Sequence, residues 1–184
     1  MEEFQGSLAP QPVPSTTPRF LLQLGAIAVV FAASPTRAFD LDRFLVPKEL
    51  ALHLTAVMAG AFAYRAVRRS NGTWIDLALG AYLILSVVSA GFATNPWLAA
   101  RAVALSGSAL VLYWTARALR LAGREGALVN TVALAVVLAA VTSLLQAYGL
   151  ELVVFSPNRA PGGTLGNRNF VAHAAAFGLP LVIV

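Results

Sequence analysis

From Ala127 to Tyr148 the chain runs for 22 residues without one charged side chain. Crossing a bilayer core about 30 Å thick takes about 20 apolar residues of helix, so this stretch is long enough to span a membrane. The same measure marks out the rest of the chain. Apolar runs at about Phe20–Ser34, Lys48–Ala66, Trp74–Thr94, Trp97–Leu119 and Ala127–Tyr148 read as five spans, the first of them short. Phe170–Val184 reads as the start of a sixth. Pro47 stands just ahead of the second span, a position that suits a helix start. Tyr64, Trp74, Trp97, Tyr113, Trp114 and Tyr148 fall near span ends, where an interfacial aromatic belt places them.

Composition supports this layout. Of 184 residues, 58% are hydrophobic and only 11% charged, with a mean hydropathy of +0.73. A soluble domain carries about 25% charged residues, so a soluble globule is excluded, and so is a wholly disordered chain. The expected fold is all-α, a polytopic transmembrane helix bundle. Residues 1–18, rich in Pro, Ser and Thr, read as a disordered cytoplasmic tail, and residues 19–184 as the transmembrane domain. The last run has no polar flank, so that domain reads as the N-terminal part of a longer one. Arg19 ahead of an apolar stretch ending Ala32-Ala33-Ser34 has the outline of a signal peptide, but the long proline-bearing leader argues against cleavage.

The absence of cysteine excludes disulfides, thiol catalysis and Cys-ligated zinc. Two histidines, His53 and His173, are too few for a cage of His ligands, and no metal or cofactor is expected. His53, in the middle of span two, reads as structural. The net charge of +5 looks like a nucleic-acid signature. Its arginines, however, cluster between apolar runs, so no basic face is left for a nucleic acid.

Orientation follows from the Lys and Arg content of the short loops. With the N-terminus cytoplasmic, Arg19, Arg65, Arg68, Arg69, Arg117, Arg120 and Arg124 lie inside, clustered in two loops. Arg37, Arg43, Lys48, Arg101, Arg159 and Arg168 lie outside, dispersed and often beside Asp40, Asp42 or Glu49. These outer cations are candidates for function.

Three outer segments carry them. Thr36–Glu49 mixes charge with Phe39, Leu41, Phe44 and Leu45, as a segment lying in the membrane interface would; a solvated connector with locally paired charges is the plainer reading of the same residues. At Thr94-Asn95-Pro96-Trp97 a tight turn is followed by Arg101 one turn into the next span. That side chain either snorkels to the headgroups or meets a phosphate with its planar fork. The third segment, Gly149–Asn169, leads directly into the sixth run. Glycines at 162, 163 and 166 permit close backbone approach, and N–H groups ahead of a helix N-terminus favour an anion. Arg159, Asn167, Arg168 and Asn169 add side-chain donors for phosphate or sugar hydroxyls. His173 falls one turn beyond Asn169 on the same helix face, where an ionisable group in a span is expected to face a cavity. An ordinary turn with Gly-Asn ahead of a helix, and an interior hydrogen-bonded histidine, explain the same residues.

Arg159 to Pro180, R-A-P-G-G-T-L-G-N-R-N-F-V-A-H-A-A-A-F-G-L-P, resembles the R-x-x-G-T-F-G-N-P-N-x-x-A…P signature of the O-antigen ligase and O-antigen polymerase superfamily. Asp42 to Lys48 resembles the aspartate, proline and lysine met before that family's second span, and Ser86 to Trp97 the end of its third. The resemblance covers most of this chain and about the first half of a family member. Two residues depart from the pattern: Arg168 stands where the family usually has proline, and Leu165 where it usually has an aromatic residue.

The resemblance implies a multi-pass protein of the bacterial inner membrane, with a helical fold of about a dozen spans and its site facing the periplasm. It implies a metal-independent glycosyltransferase that moves a glycan from a polyprenyl-diphosphate carrier to an acceptor such as lipid A-core sugar, a growing polysaccharide or a protein side chain. An acceptor hydroxyl would attack the anomeric carbon while the diphosphate leaves, helped by a base and by cations. The family's best-known arginine and histidine residues lie in later spans and a large periplasmic loop, so catalytic residues are expected beyond Val184 and the fragment alone is expected to be inactive. Arg159, Asn167, Arg168 and Asn169 are the candidates for contact with carrier or glycan, with His173, Arg101 and Lys48 behind them. Two non-enzymatic readings stay open. One is a transporter or flippase-like protein holding an anionic lipid in the same basic cavity. The other is an accessory membrane subunit packing through Gly60, Gly80, Gly91 and Gly107, although those glycines show no GxxxG spacing.

Overall fold

The structure, a computed structural model, describes residues 16–34, 42–70 and 72–183. Among them are six α-helices, one 3₁₀ turn and no strand: α1 (Thr16–Phe31), α2 (Asp42–Ser70), α3 (Trp74–Gly91), α4 (Pro96–Leu121), α5 (Glu125–Ala147), the 3₁₀ turn Gly163–Leu165 and α6 (Arg168–Ile183). Four helices are long and apolar enough to cross a membrane: Arg43–Arg68 of α2, α3, α4 and α5. At 1.5 Å per residue the 16 residues of α1 and of α6 reach about 24 Å, short of a full hydrocarbon core. The all-helical, membrane-type architecture is thus as expected, with four helices of full spanning length and two shorter apolar ones.

Local chemistry sets the boundaries. Thr73 caps α3 in a reciprocal box with Asp76, which fills donors that the first helical turn leaves open. Asn95 caps α4 by accepting from the Leu98 amide at 3.1 Å, with Pro96 at the first helical position, where its missing N–H costs nothing. Three boundaries differ from the sequence reading. Residues 1–15 of the expected tail lie outside the described residues, but Thr16, Thr17 and Pro18 form the first turn of α1, and Pro18 is buried. Span two does not open at Pro47, which sits inside α2. Having no N–H, Pro47 leaves the Arg43 carbonyl without its helical donor, and the Ser34 amide donates to that carbonyl instead at 2.8 Å. Finally, the part of the Thr36–Glu49 segment that is described, from Asp42 on, is the start of α2. Within it Arg43 and Phe44 are buried, at 3% and 5% exposed, so those two residues are not part of a solvated connector.

Helix packing depends on small residues. Ala56, Ala59 and Ala63 form a buried stripe on α2 at the three- and four-residue spacing of one helix face. Helix α4 packs on α2, and its buried residues are Leu110, Thr115, Ala118 and Leu119. Gly60 lets the Val111 side chain approach, and Gly25 of α1 does the same for Thr55 of α2. Of the four glycines singled out from sequence, only Gly60 meets a neighbouring helix; Gly80, Gly91 and Gly107 have nothing near. Small-residue contact of this kind is how helices associate where lipid removes the hydrophobic drive between them.

Polar side chains add local ties. His53 Nδ1 lies 2.7 Å from Ser108 Oγ, joining α2 to α4, which is the structural role expected for it. Helix α3 has no buried residue and packs on α4. The two are joined at one end by Asp76, which accepts from Arg117 Nη1 at 2.8 Å and from the Trp114 indole N–H at 2.9 Å. Helix α1 packs on α2 and α5, and α6 on α5. This brings the start of α2 to the loop between α5 and α6.

Candidate functional site

Three polar residues near the end of α5, Thr142, Ser143 and Gln146, share one helix face at spacings of three and four and fold the following loop back over the helix. Gln146 makes three bonds. Its Oε1 accepts from the Gly162 amide at 2.8 Å and the Gly163 amide at 2.9 Å, and its Nε2 donates to the Ser156 carbonyl at 2.9 Å. Ser143 Oγ donates to the Pro161 carbonyl at 2.8 Å. The Thr164 amide donates to Thr142 Oγ1 at 3.3 Å.

From the other side, Arg43 of α2 reaches into the loop. Its Nη2 donates to the Phe155 carbonyl at 2.8 Å and its Nη1 lies 3.4 Å from that of Val153. Its guanidinium stands 4.6 Å from the centre of the Phe44 ring, a cation–π contact. Phe44 then packs under Gly166, where φ is +74° and any Cβ would strike the ring. Gly162 is equally constrained, because its Cβ would collide with the Asn167 backbone. These two glycines are demanded by close approach.

The result is a pocket of about 170 Å³ between the start of α2 and the loop. Phe44, Leu45, Leu165 and Phe170 give it apolar walls, and Ser156, Asn158, Arg159 and Asn167 polar ones. Among the described residues no carboxylate lines it. Arg159 is exposed and Asn167 half-buried, so a cation and amide groups meet solvent together. Such a set can hold an anionic oxygen-rich group, with the guanidinium as its strongest donor.

One part of the sequence reading is corrected here. Of the amides around the start of α6, those of Gly162, Gly163, Thr164, Gly166, Arg168, Asn169 and Phe170 are taken up within the protein. Gly162, Gly163 and Thr164 donate to α5 side chains, and Gly166 donates to the Gly162 carbonyl at 3.1 Å. Arg168 donates to the Arg159 carbonyl at 3.2 Å, and Phe170 to that of Asn167 at 3.0 Å. The Asn169 amide donates to Asn167 Oδ1 at 2.9 Å. Most of the backbone nest expected from the glycine-rich stretch is therefore closed by the protein's own bonds.

The seven candidate residues separate into three groups. Arg159 and Asn167 share the pocket. Arg168, Asn169 and His173 are exposed on α6 and do not line it. Arg101 and Lys48 hold helices together: Arg101 forms an ion pair with Glu49 between α4 and α2, and Lys48 Nζ donates to the carbonyls of Val29, Val30 and Ala32 at 2.9, 3.0 and 2.8 Å. Lys48 thereby satisfies the C-terminal carbonyls of α1, as a cation at a helix end does. Sequence reasoning passed over Gln146, Ser156 and Asn158, named Phe44 only as an apolar residue of the Thr36–Glu49 segment, and placed Arg43 only among the outer cations. The signal available for Gln146 was its spacing from Thr142 and Ser143 on one face of a charge-free span.

No group of three or more His, Cys, Asp or Glu side chains able to hold a metal occurs among the described residues. The fold and the site together define an all-helical protein of membrane type, with a cation-bearing pocket at one end of its helices. No protein-family model, curated protein or solved structure matches the chain.

Proposed function

We propose that this chain is the pocket-bearing N-terminal part of an O-antigen ligase- or polymerase-like glycan transferase of a bacterial inner membrane. In this reading the N-terminus is cytoplasmic, α1 to α5 cross the membrane, α6 begins a sixth crossing, and the pocket faces the periplasm. The pocket receives the diphosphate of a polyprenyl-linked glycan. As the acceptor hydroxyl bonds to the anomeric carbon, the bond from that carbon to the diphosphate oxygen breaks, and Arg159 takes up charge developing on the leaving phosphate. The hydroxyl proton passes to a base that the resemblance puts in the later part of the protein. The acceptor is a glycan or the lipid A core.

The observation that carries this reading is the position of Arg159. It stands exposed beside Asn158, Asn167 and Ser156 in a pocket without a described carboxylate, on the same Gly-Asn segment that resembles the family. Arg159→Ala in the full-length protein, expressed in a strain lacking the native gene, is expected to cut glycan transfer well over tenfold while membrane insertion is kept. Arg159→Lys is expected to recover only part, because an ammonium cannot reproduce the guanidinium fork. Transfer unchanged in Arg159→Ala removes Arg159 from the site. Absence of transfer by the wild-type protein favours a non-enzymatic role in binding an anionic lipid.

A further inference from the structure

A groove runs along the outside of α2 and α4, with Val57, Ala61 and Tyr64 on one wall and Val111, Trp114 and Thr115 on the other. From Ala56 to Val67 of α2 it extends about 16 Å at 1.5 Å per residue. That is the depth of one leaflet of a hydrocarbon core about 30 Å thick. The walls offer little to a polar ligand. The Thr115 hydroxyl donates to the Val111 carbonyl at 2.8 Å, and the Trp114 indole N–H is taken by Asp76 at 2.9 Å. Among the described residues none from α3 lines the groove, although α3 packs on α4.

The open part of the groove is ill suited to another helix. Gly60, the residue that would allow close approach, is already met by Val111. Val57 and Tyr64 stand 69% and 61% exposed, projecting where a partner helix would need small side chains.

One end of the groove carries charge. Arg68 falls four residues after Tyr64 and seven after Ala61, so it continues the groove face of α2 by one turn. Arg68 and Arg65 are exposed, and among the described residues neither has a carboxylate partner. Asp76, the acid at the start of α3, is already matched by Arg117 at 2.8 Å. This end of α2 lies opposite the Arg159 pocket, which adjoins the start of that helix. An apolar trench one leaflet deep, ending at an unmatched guanidinium with a tyrosine beside it, complements a lipid whose headgroup is an anionic phosphate.

We infer that this groove is a binding site for an anionic glycerophospholipid, with an acyl chain along Val57 and Ala61 and the phosphate at Arg68 beside Tyr64. The site is separate from the Arg159 pocket and stands or falls independently of the function proposed for it.

Trp114 reports occupancy because it lines the groove. Of three tryptophans, Trp74→Phe and Trp97→Phe leave it alone. The full chain with these two changes is reconstituted in dioleoyl phosphatidylcholine vesicles holding increasing fractions of brominated phosphatidylglycerol or, in parallel, brominated phosphatidylcholine, since bromine quenches tryptophan on contact. Phosphatidylglycerol is expected to be selected about threefold or more over phosphatidylcholine. Arg68→Gln should abolish the selection with helicity unchanged by circular dichroism. Ala61→Phe should reduce it with Arg68 intact, by filling the trench. Arg120→Gln should keep it, because that exposed arginine lies about 140° around α4 from Thr115. Equal loss in Arg120→Gln and Arg68→Gln would mean diffuse surface charge and overturn the site. Selection kept in Ala61→Phe would overturn the placing of the acyl chain. Trp114 unquenched by either lipid would mean that protein covers the groove, which overturns a lipid as its occupant.

Discussion

Replacing Gln146 with leucine tests whether the α5–α6 loop is held as described. The change keeps the approximate volume of the side chain and removes its acceptor and its donor. Three backbone groups then lose their partner: the N–H of Gly162, the N–H of Gly163 and the carbonyl of Ser156. Gly162, Gly163 and Ser156 are all buried, so water does not replace these bonds unless the loop moves. A buried backbone group left unsatisfied costs about 1–3 kcal/mol. Taking the lower figure for each gives about 3 kcal/mol, which is about a hundredfold in the loop's opening equilibrium. The loop should detach locally, because the α2–α4 contacts do not involve it. In hydrogen exchange, the Gly162 and Gly163 amides of Gln146→Leu should exchange about a hundredfold faster than wild type, while amides of α4 stay unchanged. Trypsin should cut after Arg159 correspondingly faster. Gln146→Glu keeps the acceptor for both glycine amides and loses only the bond to Ser156, so it should lie between the two. Exchange at Gly162 and Gly163 within about threefold of wild type in Gln146→Leu would refute the reasoning, since it leaves less than about 1 kcal/mol for three bonds.

Other perturbations separate support from binding. Gly166→Ala places a Cβ against the Phe44 ring at a φ of +74°, so strain of about 1–2 kcal/mol from the left-handed conformation alone should appear as a lower unfolding midpoint, and an unchanged midpoint would argue against the close approach. Lys48→Met leaves the carbonyls of Val29, Val30 and Ala32 without the ammonium; exchange near the end of α1 should rise, and glycan transfer should fall less than in Arg159→Ala. A fall as large would move Lys48 from helix support to the site. Asp76→Ala removes the acceptor shared by Arg117 and Trp114; the unfolding temperature should drop by several degrees, and a shift below about 1 °C would mean that the Asp76 bonds contribute little to holding α3 on α4.

The positions of the helices were legible in the sequence, because they depend on local quantities. Length, absence of charge and capping residues at Thr73 and Asn95 act within a few residues of each helix end, and Asp76 and Leu98 complete the caps three residues on. Arg159, Asn167, Arg168 and Asn169 were singled out together because they lie on one short glycine-rich segment, and of the four Arg159 and Asn167 line the pocket. The role of Pro47 was misjudged because it depends on Ser34, a residue of another segment whose amide takes the carbonyl that proline frees.

What only the tertiary structure decided is which polar groups remain open to a ligand. Arg43, Lys48, Arg101 and Arg159 look alike in the sequence as cations of one side. Arg43 is buried by carbonyls 110 and 112 residues away, Arg101 is matched by Glu49 52 residues back, and Lys48 closes a neighbouring helix. Of these four, Arg159 alone lines the pocket. The amides of the glycine loop followed the same course, since Gln146, Ser143 and Thr142 bind that loop from one helix face. Desolvation makes each buried polar group take a partner wherever the fold supplies one. The sequence therefore determined which residues can bind an anion, and the packing of α2 against the α5–α6 loop determined which of them stay available to do so.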